Sequence, residues 1–449
     1  MNIPKNKFHL LCKKCSYIIN SFGEFFEYNQ SCPKCGHKIV IAEYSTDYEK
    51  IKPLIEKNSS NPDNTLWRYF DFLPLNDKKN IITSGEGNIA VDKWDFLAEF
   101  AKQKYNIELE VYAYRNDQST GTGTFKDVAG AMAASILKEN GITEYCIAST
   151  GNIANSYSHY FAKAGISLSV FIPQDALKAN EAEVNTYGQR LYRVKGDYAE
   201  AKKIAAQFNQ KYKILISGGN TDPMRVEAKK TMVFEWIRRM VQMPTVYIQA
   251  LSGGTGPIAI DKAYNDLKPT GVLGELPRFI MVQPHCCSPM TQGYRNAKIN
   301  GFPDGWLNDY PIIPNPVTAV PTLATGNPAT YPIIAGLVHK SNGDMLEFNE
   351  NYIVDVARLV AFETHTVIGP ASCIAVGGFF EALKNKCFKN GDTVLINIGE
   401  GTRRAPELME NMIYTTKEIS TLEETELFNR NSLKSKVWEV FMNYPAIDK

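Results

Sequence analysis

Residues 245–257 read TVYIQALSGGTGP, and this stretch is the clearest single indication of the fold. A predicted strand, 245–251, runs into a glycine-rich loop, and Pro257 follows where the first turn of a helix is expected. A strand that leads through such a loop into a helix is typical of parallel sheets covered by helices. The glycines also let several backbone N–H groups point at one phosphate. The stretch therefore predicts an α/β fold with an anion site at the carboxyl end of a strand.

The same alternation of short β-branched runs and helical patterns extends from about residue 110 onward. Further predicted strands are 145–149, 167–172, 213–217, 278–283 and 393–398. Because such strands alternate with helical segments, we expect parallel sheets throughout. Residues 285–350 are rich in proline and are expected to be irregular.

Composition narrows the class of partner. The chain has 449 residues, of which 44% are hydrophobic, and a formal net charge of +1. This hydrophobic content supports a folded chain with a substantial core, and the near-zero charge gives no long-range attraction to nucleic acid or to an anionic membrane. No apolar run approaches the roughly 20 residues that a membrane span needs. We therefore expect a small-molecule substrate, with no nucleic-acid partner and no membrane partner.

Four of the nine cysteines lie in the first 35 residues, as two CxxC pairs with 16 residues between them. The residues are Cys12, Cys15, Cys32 and Cys35. Each pair presents two thiolates from a tight turn, and together they close a tetrahedral shell around one ion. Because four protein ligands leave no open position, the expected Zn²⁺ is structural. Two alternatives stay open: ordinary buried or redox cysteines, and a zinc ribbon that binds nucleic acid.

The remaining cysteines bear on location. An odd total, with no charged-then-apolar leader at the N-terminus, argues against a disulfide framework of a secreted protein. We expect a cytoplasmic protein.

Residues 119–127, STGTGTFKD, run from a hydroxyl- and glycine-rich segment into a predicted helix. Lys126 would lie near the first turn of that helix, where the positive end of the helix dipole and burial both disfavour an ammonium group. A lysine kept partly neutral can attack an aldehyde and hold it as a Schiff base. The alternative is an ordinary solvated lysine.

Residues 148–152, ASTGN, are a second junction between a strand and a helix. Small residues expose the N–H groups of the helix start, which suits a carboxylate. Asn152 either caps this helix or donates to a ligand oxygen.

The glycine loop has two interpretations. It forms a phosphate cradle, and residues 254–259 also satisfy the loose dinucleotide fingerprint. The acidic residue that should end the next strand is missing, since 283–285 read QPH, but an NAD(P)-dependent Rossmann enzyme stays as an alternative. A lysine that holds an aldehyde, a carboxylate site and a phosphate cradle together suit pyridoxal phosphate (PLP).

At these motifs the sequence resembles the threonine synthase branch of fold type II PLP enzymes. Residues 84–87 (SGEG), 123–127 (GTFKD), 150–152 (TGN), 223–231 (PMRVEAKKT) and 253–256 (GGTG) are similar to the family's S-L-G-E-G-x-T, G-S-F-K-D, S-G-N, N-P-x-R-x-E-G-x-K-T and glycine-loop motifs. The resemblance implies that Lys126 is the Schiff-base lysine and that Asn152 contacts the phenolic oxygen of the cofactor. It further implies a substrate carboxylate at Ser149, Thr150 and Gly151, and a cofactor phosphate at Gly253, Gly254, Thr255 and Gly256.

The resemblance also implies the architecture. We expect a fold similar to that of the tryptophan synthase β-chain, with two parallel-sheet subdomains and an N-terminal zinc ribbon. The expected domains are a ribbon at 1–45 and a catalytic region at 46–449, with a smaller mobile subdomain at about 135–215. Relatives of this kind are commonly homodimers, and we expect one here.

Departures from the family's motifs leave the substrate open. Where the family has a hydroxyl facing the pyridine nitrogen, Ile398 stands here, and Thr402 or Asn397 are the candidate replacements. Residues 68–74, 196–201 and 395–399 look more like cysteate synthase. The leading expectation is conversion of O-phosphohomoserine to threonine and phosphate; the alternative is β-replacement on O-phosphoserine with sulfite or a related nucleophile.

Either reaction needs a second anion site for the substrate phosphate. The candidates lie around the start of the predicted helix 224–241, at Asn220, Arg225 and Lys229. A solvated cationic helix face is the alternative for Lys229.

Overall fold

The computed structural model describes residues 7–56, 61–412, 416–427 and 429–444. Its strands are β1 (Phe8–Cys12), β2 (Ile18–Ile19), β3 (Val40–Tyr44), β4 (Val91–Lys93), β5 (Leu109–Tyr114), β6 (Glu144–Ala148), β7 (Ser167–Ile172), β8 (Arg190–Arg193), β9 (Leu215–Ile216), β10 (Val246–Ala250), β11 (Arg278–Pro284), β12 (Asp344–Phe348) and β13 (Asp392–Asn397). Its helices are α1 (Phe22–Glu27), α2 (Lys52–Ile55), α3 (Asp95–Tyr105), α4 (Asp127–Glu139), α5 (Asn152–Ala164), α6 (Lys178–Thr186), α7 (Tyr198–Tyr212), α8 (Pro223–Arg239), α9 (Thr255–Leu267), α10 (Pro289–Ile299), α11 (Tyr331–Lys340), α12 (Ile353–Thr364), α13 (Pro370–Lys384), α14 (Pro406–Met412) and α15 (Arg430–Met442).

The strands form three sheets. The largest has the order β12-β11-β10-β13-β5-β4 and is parallel except for the β4–β5 pair. A second sheet, β8-β7-β6-β9, is parallel throughout. The third, β2-β1-β3, is antiparallel and N-terminal. The predicted α/β fold with parallel sheets is confirmed.

Helices cover the large sheet, and its central strands are accordingly apolar. Strand β13 is buried at every position and β10 at all but its last, which is the pattern of strands covered on both faces. Helix α13 packs against β10, β11 and β12, while α8 lies between α4 and α9. Every residue of α8 from Pro223 to Trp236 is buried, so this helix runs through the interior of the molecule.

Polar contacts tie the N-terminal sheet to α8. Tyr44, at the end of β3, donates a 2.7 Å hydrogen bond to Glu227. Glu227 also pairs with Lys230 at 2.6 Å, and Lys230 pairs with Asp266 of α9 at 3.0 Å. Because each of these charges has a partner of opposite sign, the cluster is tolerated in the interior.

The proline-rich region is more regular than the sequence indicated. Within 285–350 the structure has α10, α11 and β12, which forms an edge of the large sheet, so the prediction of an irregular segment is wrong there. Pro289 and Pro332 occupy the first turns of α10 and α11, where the missing N–H of proline costs nothing.

In the described part of the chain no helix is both long and apolar enough to cross a membrane. The second sheet lies entirely within residues 144–216. The predicted domain boundaries, and the mobility of the smaller subdomain, stay predictions.

Candidate active site

A cavity of about 700 Å³ opens where the carboxyl ends of strands from both parallel sheets meet. Its walls come from the ends of β6, β10 and β13, from the start of α4, and from the segments 216–225 and 322–330. Ligand sites of α/β proteins lie at this edge of their sheets. The N-terminal module also reaches the cavity, which Gln30 and Lys38 help to line.

Lys126 lines the cavity from the residue that precedes α4. The loop before it is fixed by the buried carboxylate of Asp127, which accepts hydrogen bonds from Thr122 N (3.2 Å), Thr122 Oγ1 (2.5 Å) and Thr124 N (3.2 Å). Burial, reinforced by the positive charge of Arg225, lowers the pKa of Lys126 to about 7. A substantial fraction of this amine is therefore neutral, and hence nucleophilic, near pH 7.

The loop after β6 presents Ser149, Thr150, Gly151 and Asn152 to the cavity, as the sequence predicted. Its turn is closed by a 3.0 Å hydrogen bond from Gly151 N to Ser149 Oγ. Asn152 is the first residue of α5, and the helix has no side-chain cap, so the capping interpretation of Asn152 is wrong. Instead its Nδ2 donates to the carboxylate of Glu400, while its buried Oδ1 has no partner among the described residues.

The glycine loop after β10 forms a tight cradle at the start of α9. Gly254 has φ +78°, a conformation that favours glycine, and a Cβ on Gly253 would lie 1.7 Å from Asn220 Nδ2. Asn220 braces the loop, since its Oδ1 accepts a 2.9 Å hydrogen bond from Thr255 Oγ1. Gly253, Gly254 and Thr255 line the cavity, with their backbone at the N-terminus of a 13-residue helix. Gly256 does not line it, because it packs against Gln249.

Of the three residues predicted to bind a substrate phosphate, two line the cavity and one does not. Asn220 and Arg225 line the cavity, and Arg225 Nε is buried without a partner among the described residues. Lys229 does not line the cavity; its Nζ lies 3.6 Å from the centroid of the Phe125 ring, which faces the cavity itself. Direct contact between Lys229 and a substrate phosphate is therefore not supported.

Thr402, a predicted contact of the cofactor, also lies away from the cavity. After β13 the chain forms two isolated antiparallel β-bridges, one between Glu400 and Thr124 and one between Gly401 and Ile368. This path leaves Asn397 and Glu400 facing the cavity and moves Thr402 into a short 3-10 turn beyond it. Ile398 points into the hydrophobic core.

Sequence reasoning missed Glu400 and the segment 322–330. Glu400 is buried and contributes a carboxylate to the cavity wall, and its only sequence signal is a carboxyl residue between two glycines at the end of a strand. In the second segment, Thr330 Oγ1 donates to Gly253 O at 2.9 Å, and Thr325 Oγ1 lies 2.8 Å from Ser252 Oγ. These hydroxyls give the glycine loop a second set of hydrogen bonds in addition to that of Asn220.

The four N-terminal cysteines come together as the spacing predicted. All four Sγ atoms of Cys12, Cys15, Cys32 and Cys35 lie within 4.8 Å of one another. The Cys12–Cys35 and Cys15–Cys32 pairs are each 3.6 Å apart. Sulfur atoms at the corners of a tetrahedral zinc site are separated by about 3.8 Å, since Zn–S bonds are about 2.3 Å long. The donor set therefore fits Zn²⁺.

The cavity also fits PLP by its own features. A partly neutral lysine, a glycine cradle at a helix N-terminus and the unpartnered amide oxygen of Asn152 all face one space. The fold and this site together define a PLP-binding α/β enzyme. The family model described as "Pyridoxal-phosphate dependent enzyme" matches residues 82–399, so the chain belongs to that family. The nicotinamide alternative is thereby set aside.

Relatives narrow the branch of the family. The chain is 26% identical over 392 residues to a threonine synthase of Methanocaldococcus jannaschii, covering 83% of this chain and 92% of that protein. It is 25% identical over 395 residues to a cysteate synthase of Methanothrix thermoacetophila, covering 85% and 92%. The predicted resemblance to threonine synthases and cysteate synthases is therefore confirmed over most of the chain.

Solved structures confirm the fold. A cysteine synthase of Entamoeba histolytica superposes with a TM-score of 0.57 at 14% identity, covering 80% of this chain and 94% of that one. A threonine deaminase isoform of Solanum lycopersicum gives a TM-score of 0.56 at 15% identity, with the same coverage. The predicted fold type II architecture is thus confirmed.

Proposed function

We propose that this enzyme uses PLP to eliminate phosphate from a phosphorylated amino acid, with O-phosphohomoserine as substrate and threonine and phosphate as products. The observation that carries the proposal is that Lys126, the glycine cradle and the cationic side chain of Arg225 face one cavity. A phosphate cradle accounts for the cofactor, and Arg225 supplies a second anion site for the substrate.

Each residue has a role in this proposal. Gly253, Gly254 and Thr255 hold the cofactor phosphate with N–H groups at the start of α9. The loop 149–151 takes the substrate carboxylate, and Asn152 orients the cofactor through its phenolic oxygen. Lys126 binds the cofactor aldehyde. When bound, the cofactor supplies an electron sink for the charge that develops at the α-carbon.

Proton movement then depends on the Lys126 amine. With its amine free and neutral, Lys126 would accept the proton from the α-carbon of the substrate. Its pKa of about 7 suits this exchange, since a base works best when its pKa is near the working pH. Arg225 and Asn220 would hold the phosphate as its bond to the γ-carbon breaks with loss of a proton from the β-carbon. The γ-carbon then gains a proton, water adds at the β-carbon, and a proton returns to the α-carbon.

A second candidate reaction is cysteate synthesis. The relative named cysteate synthase matches over a share of the chain similar to that of the threonine synthase. In this reaction phosphate leaves the β-carbon of O-phosphoserine, and sulfite or a related nucleophile adds to the same carbon. The same cavity residues serve both reactions, so the choice of substrate needs a direct test.

We also propose a structural Zn²⁺ held by Cys12, Cys15, Cys32 and Cys35, a homodimeric assembly and a cytoplasmic location. The four converging thiols support the zinc. The homodimer follows from the resemblance and the location from cysteine usage. Analytical ultracentrifugation of the purified chain tests the assembly.

The decisive experiment measures phosphate release from O-phosphohomoserine and from O-phosphoserine, each with and without sulfite. We expect phosphate to be released from O-phosphohomoserine but not from O-phosphoserine, with threonine as the product. If the protein instead consumes O-phosphoserine only when sulfite is present, its reaction is cysteate synthesis and not threonine synthesis.

A second experiment tests the cofactor chemistry. Borohydride should bleach the protein and label Lys126, and Lys126→Ala should lose label and turnover while keeping its circular dichroism. A colourless protein, or retained turnover in that variant, would contradict PLP chemistry at this site.

A further inference from the structure

Two lysine amines meet over one aromatic ring. Lys126 Nζ lies 3.8 Å and Lys229 Nζ 3.6 Å from the centroid of Phe125. Lys126 precedes α4, and Lys229 lies on α8, which packs directly against α4. Each amine also acts on the pKa of the other. Lys126 faces the cavity and Lys229 does not.

The surroundings of Lys229 do not suit a second positive charge. Its side chain is 0% exposed, and its Nζ has no hydrogen-bond partner of ordinary geometry among the described residues. The groups that act on it are both cations, Lys126 and Arg225. An unpaired ammonium group costs a large free energy in such an interior, so the group loses its proton instead.

The nearby carboxylates are committed elsewhere. Glu400 lies beyond Lys126 and accepts from Asn152 and from Ala371 N. Asp222 caps α8 beside Arg225. Four further charged side chains of α8 and α9 form ion pairs with one another: Glu227, Lys230, Lys262 and Asp266.

We propose that Lys229 is a neutral amine that accepts a hydrogen bond from protonated Lys126 and thereby sets the pH range in which Lys126 becomes reactive. Lys229 would then be a positioning residue that acts through Lys126. This proposal rests on the proposed role of Lys126 at the cofactor aldehyde.

The pair carries at most one positive charge, and that charge stays on Lys126. The face of Phe125, 3.8 Å from Lys126 Nζ, contributes to its stabilisation. Burial lowers the pKa of both groups, that of Lys126 to about 7 and that of Lys229 further, so Lys229 is the amine that is neutral at rest.

The test measures how readily Lys126 reacts with an aldehyde as pH changes. The full-length protein, stripped of cofactor, is mixed with pyridoxal phosphate at a series of pH values and quenched with borohydride, and the labelled Lys126 peptide is quantified by mass spectrometry. Wild-type labelling should be half-maximal near pH 7. Differences between variants are compared, because titration of pyridoxal phosphate itself is common to all of them.

Lys229→Met removes the acceptor while keeping a long, unbranched side chain. Without that acceptor the protonated form of Lys126 is less stable, so the labelling midpoint should fall by about one pH unit, the size expected for one hydrogen bond to a charged group. Lys229→Gln keeps a carbonyl acceptor and should restore the midpoint towards the wild-type value. The melting temperature of Lys229→Met should stay close to that of wild type, because the loss of one hydrogen bond is offset by removal of a buried polar amine.

The sign of the shift decides the proposal. A rise in the midpoint of Lys229→Met would mean that Lys229 is a charged neighbour that repels the Lys126 proton, and no shift would mean that it does not act on Lys126. Either result overturns the proposal while leaving PLP chemistry in place. Absence of label on Lys126 in the wild-type protein would overturn the proposed function and this proposal together.

Discussion

Asn152 donates a hydrogen bond from Nδ2 to the carboxylate of Glu400, and this contact joins the loops that follow β6 and β13. The other carboxylate oxygen accepts a 2.9 Å bond from Ala371 N at the start of α13. A buried carboxylate thus lies in the region where the sequence predicts a neutral side chain, Thr402 or Asn397, beside the cofactor ring. Burial raises the pKa of Glu400, although its hydrogen bonds and the charge of Lys126 oppose the shift.

The first prediction concerns the ionisation of Glu400. Because this carboxyl lies beside Asn152, its titration should alter the visible absorbance band of the bound cofactor, with the step above the ordinary pH range of a glutamate. Glu400→Gln should lack the step. Glu350→Gln is the control, since Glu350 is buried but does not line the cavity, and it should keep the step. A step that persists unchanged in Glu400→Gln would assign the titration to another group.

The second prediction concerns the glycine cradle. In Gly253→Ala the added Cβ would lie 1.7 Å from Asn220 Nδ2, so the amide must turn and lose its 2.9 Å bond from Thr255. We expect the dissociation constant of pyridoxal phosphate to rise about tenfold or more, the equivalent of one hydrogen bond. Equilibrium titration of cofactor absorbance measures it. Gly274→Ala, where nothing lies within 4 Å of the new Cβ, should bind normally. Equal affinities for the two variants would refute the cradle.

The third prediction concerns the metal. Protein produced with zinc in the medium should contain about one equivalent per chain by elemental analysis, because the four thiols close one tetrahedral site. Cys15→Ser should lose most of it. Cys286→Ser, which changes an exposed thiol outside the cluster, should keep it. Chelation should also lower the melting temperature, since the cysteines join the turns beside β1 and β3. Zinc retained in Cys15→Ser would show that the metal binds elsewhere.

The features predicted well from sequence were those fixed by neighbouring residues. The junctions at 149–152 and 252–255 line the cavity because a strand, a glycine turn and a helix follow one another directly. Lys126 was expected near the first turn of a helix and immediately precedes α4. The convergence of the four N-terminal cysteines depends on spacing within two short turns. In each case local backbone chemistry determines where the side chain goes.

The failures depended on contacts between distant segments. Glu400 faces the cavity because its segment pairs with residues 124 and 368, and nothing local to 397–402 determines that pairing. Lys229 was expected with Arg225 around the start of a helix and lies on α8, but its amine contacts Phe125 and lies away from the cavity. A sequence reveals the face of a helix more readily than it reveals which neighbour covers that face.

The last prediction concerns the contact between α6, which lies between β7 and β8 in the chain, and the segment that follows β13. Glu183 of α6 accepts hydrogen bonds from Arg403 Nη2 at 2.8 Å and from Asn155 Nδ2 at 2.6 Å, and it also pairs with Arg404. The side chain of Arg404 is 2% exposed and that of Glu183 is 9% exposed, so this ion pair is buried. Removing one partner leaves the other charge uncompensated.

Glu183→Gln should therefore lower the free energy of unfolding by about 3 kcal/mol, measured by denaturant titration. Glu181→Gln is the matched control on the same helix. Glu181 pairs with Arg193 where both side chains are about one-third exposed, at 34% and 35%, and such a partly solvated pair contributes about 1 kcal/mol or less. If the two variants were equally stable, the buried ion pair would not be what holds α6 to the segment after β13.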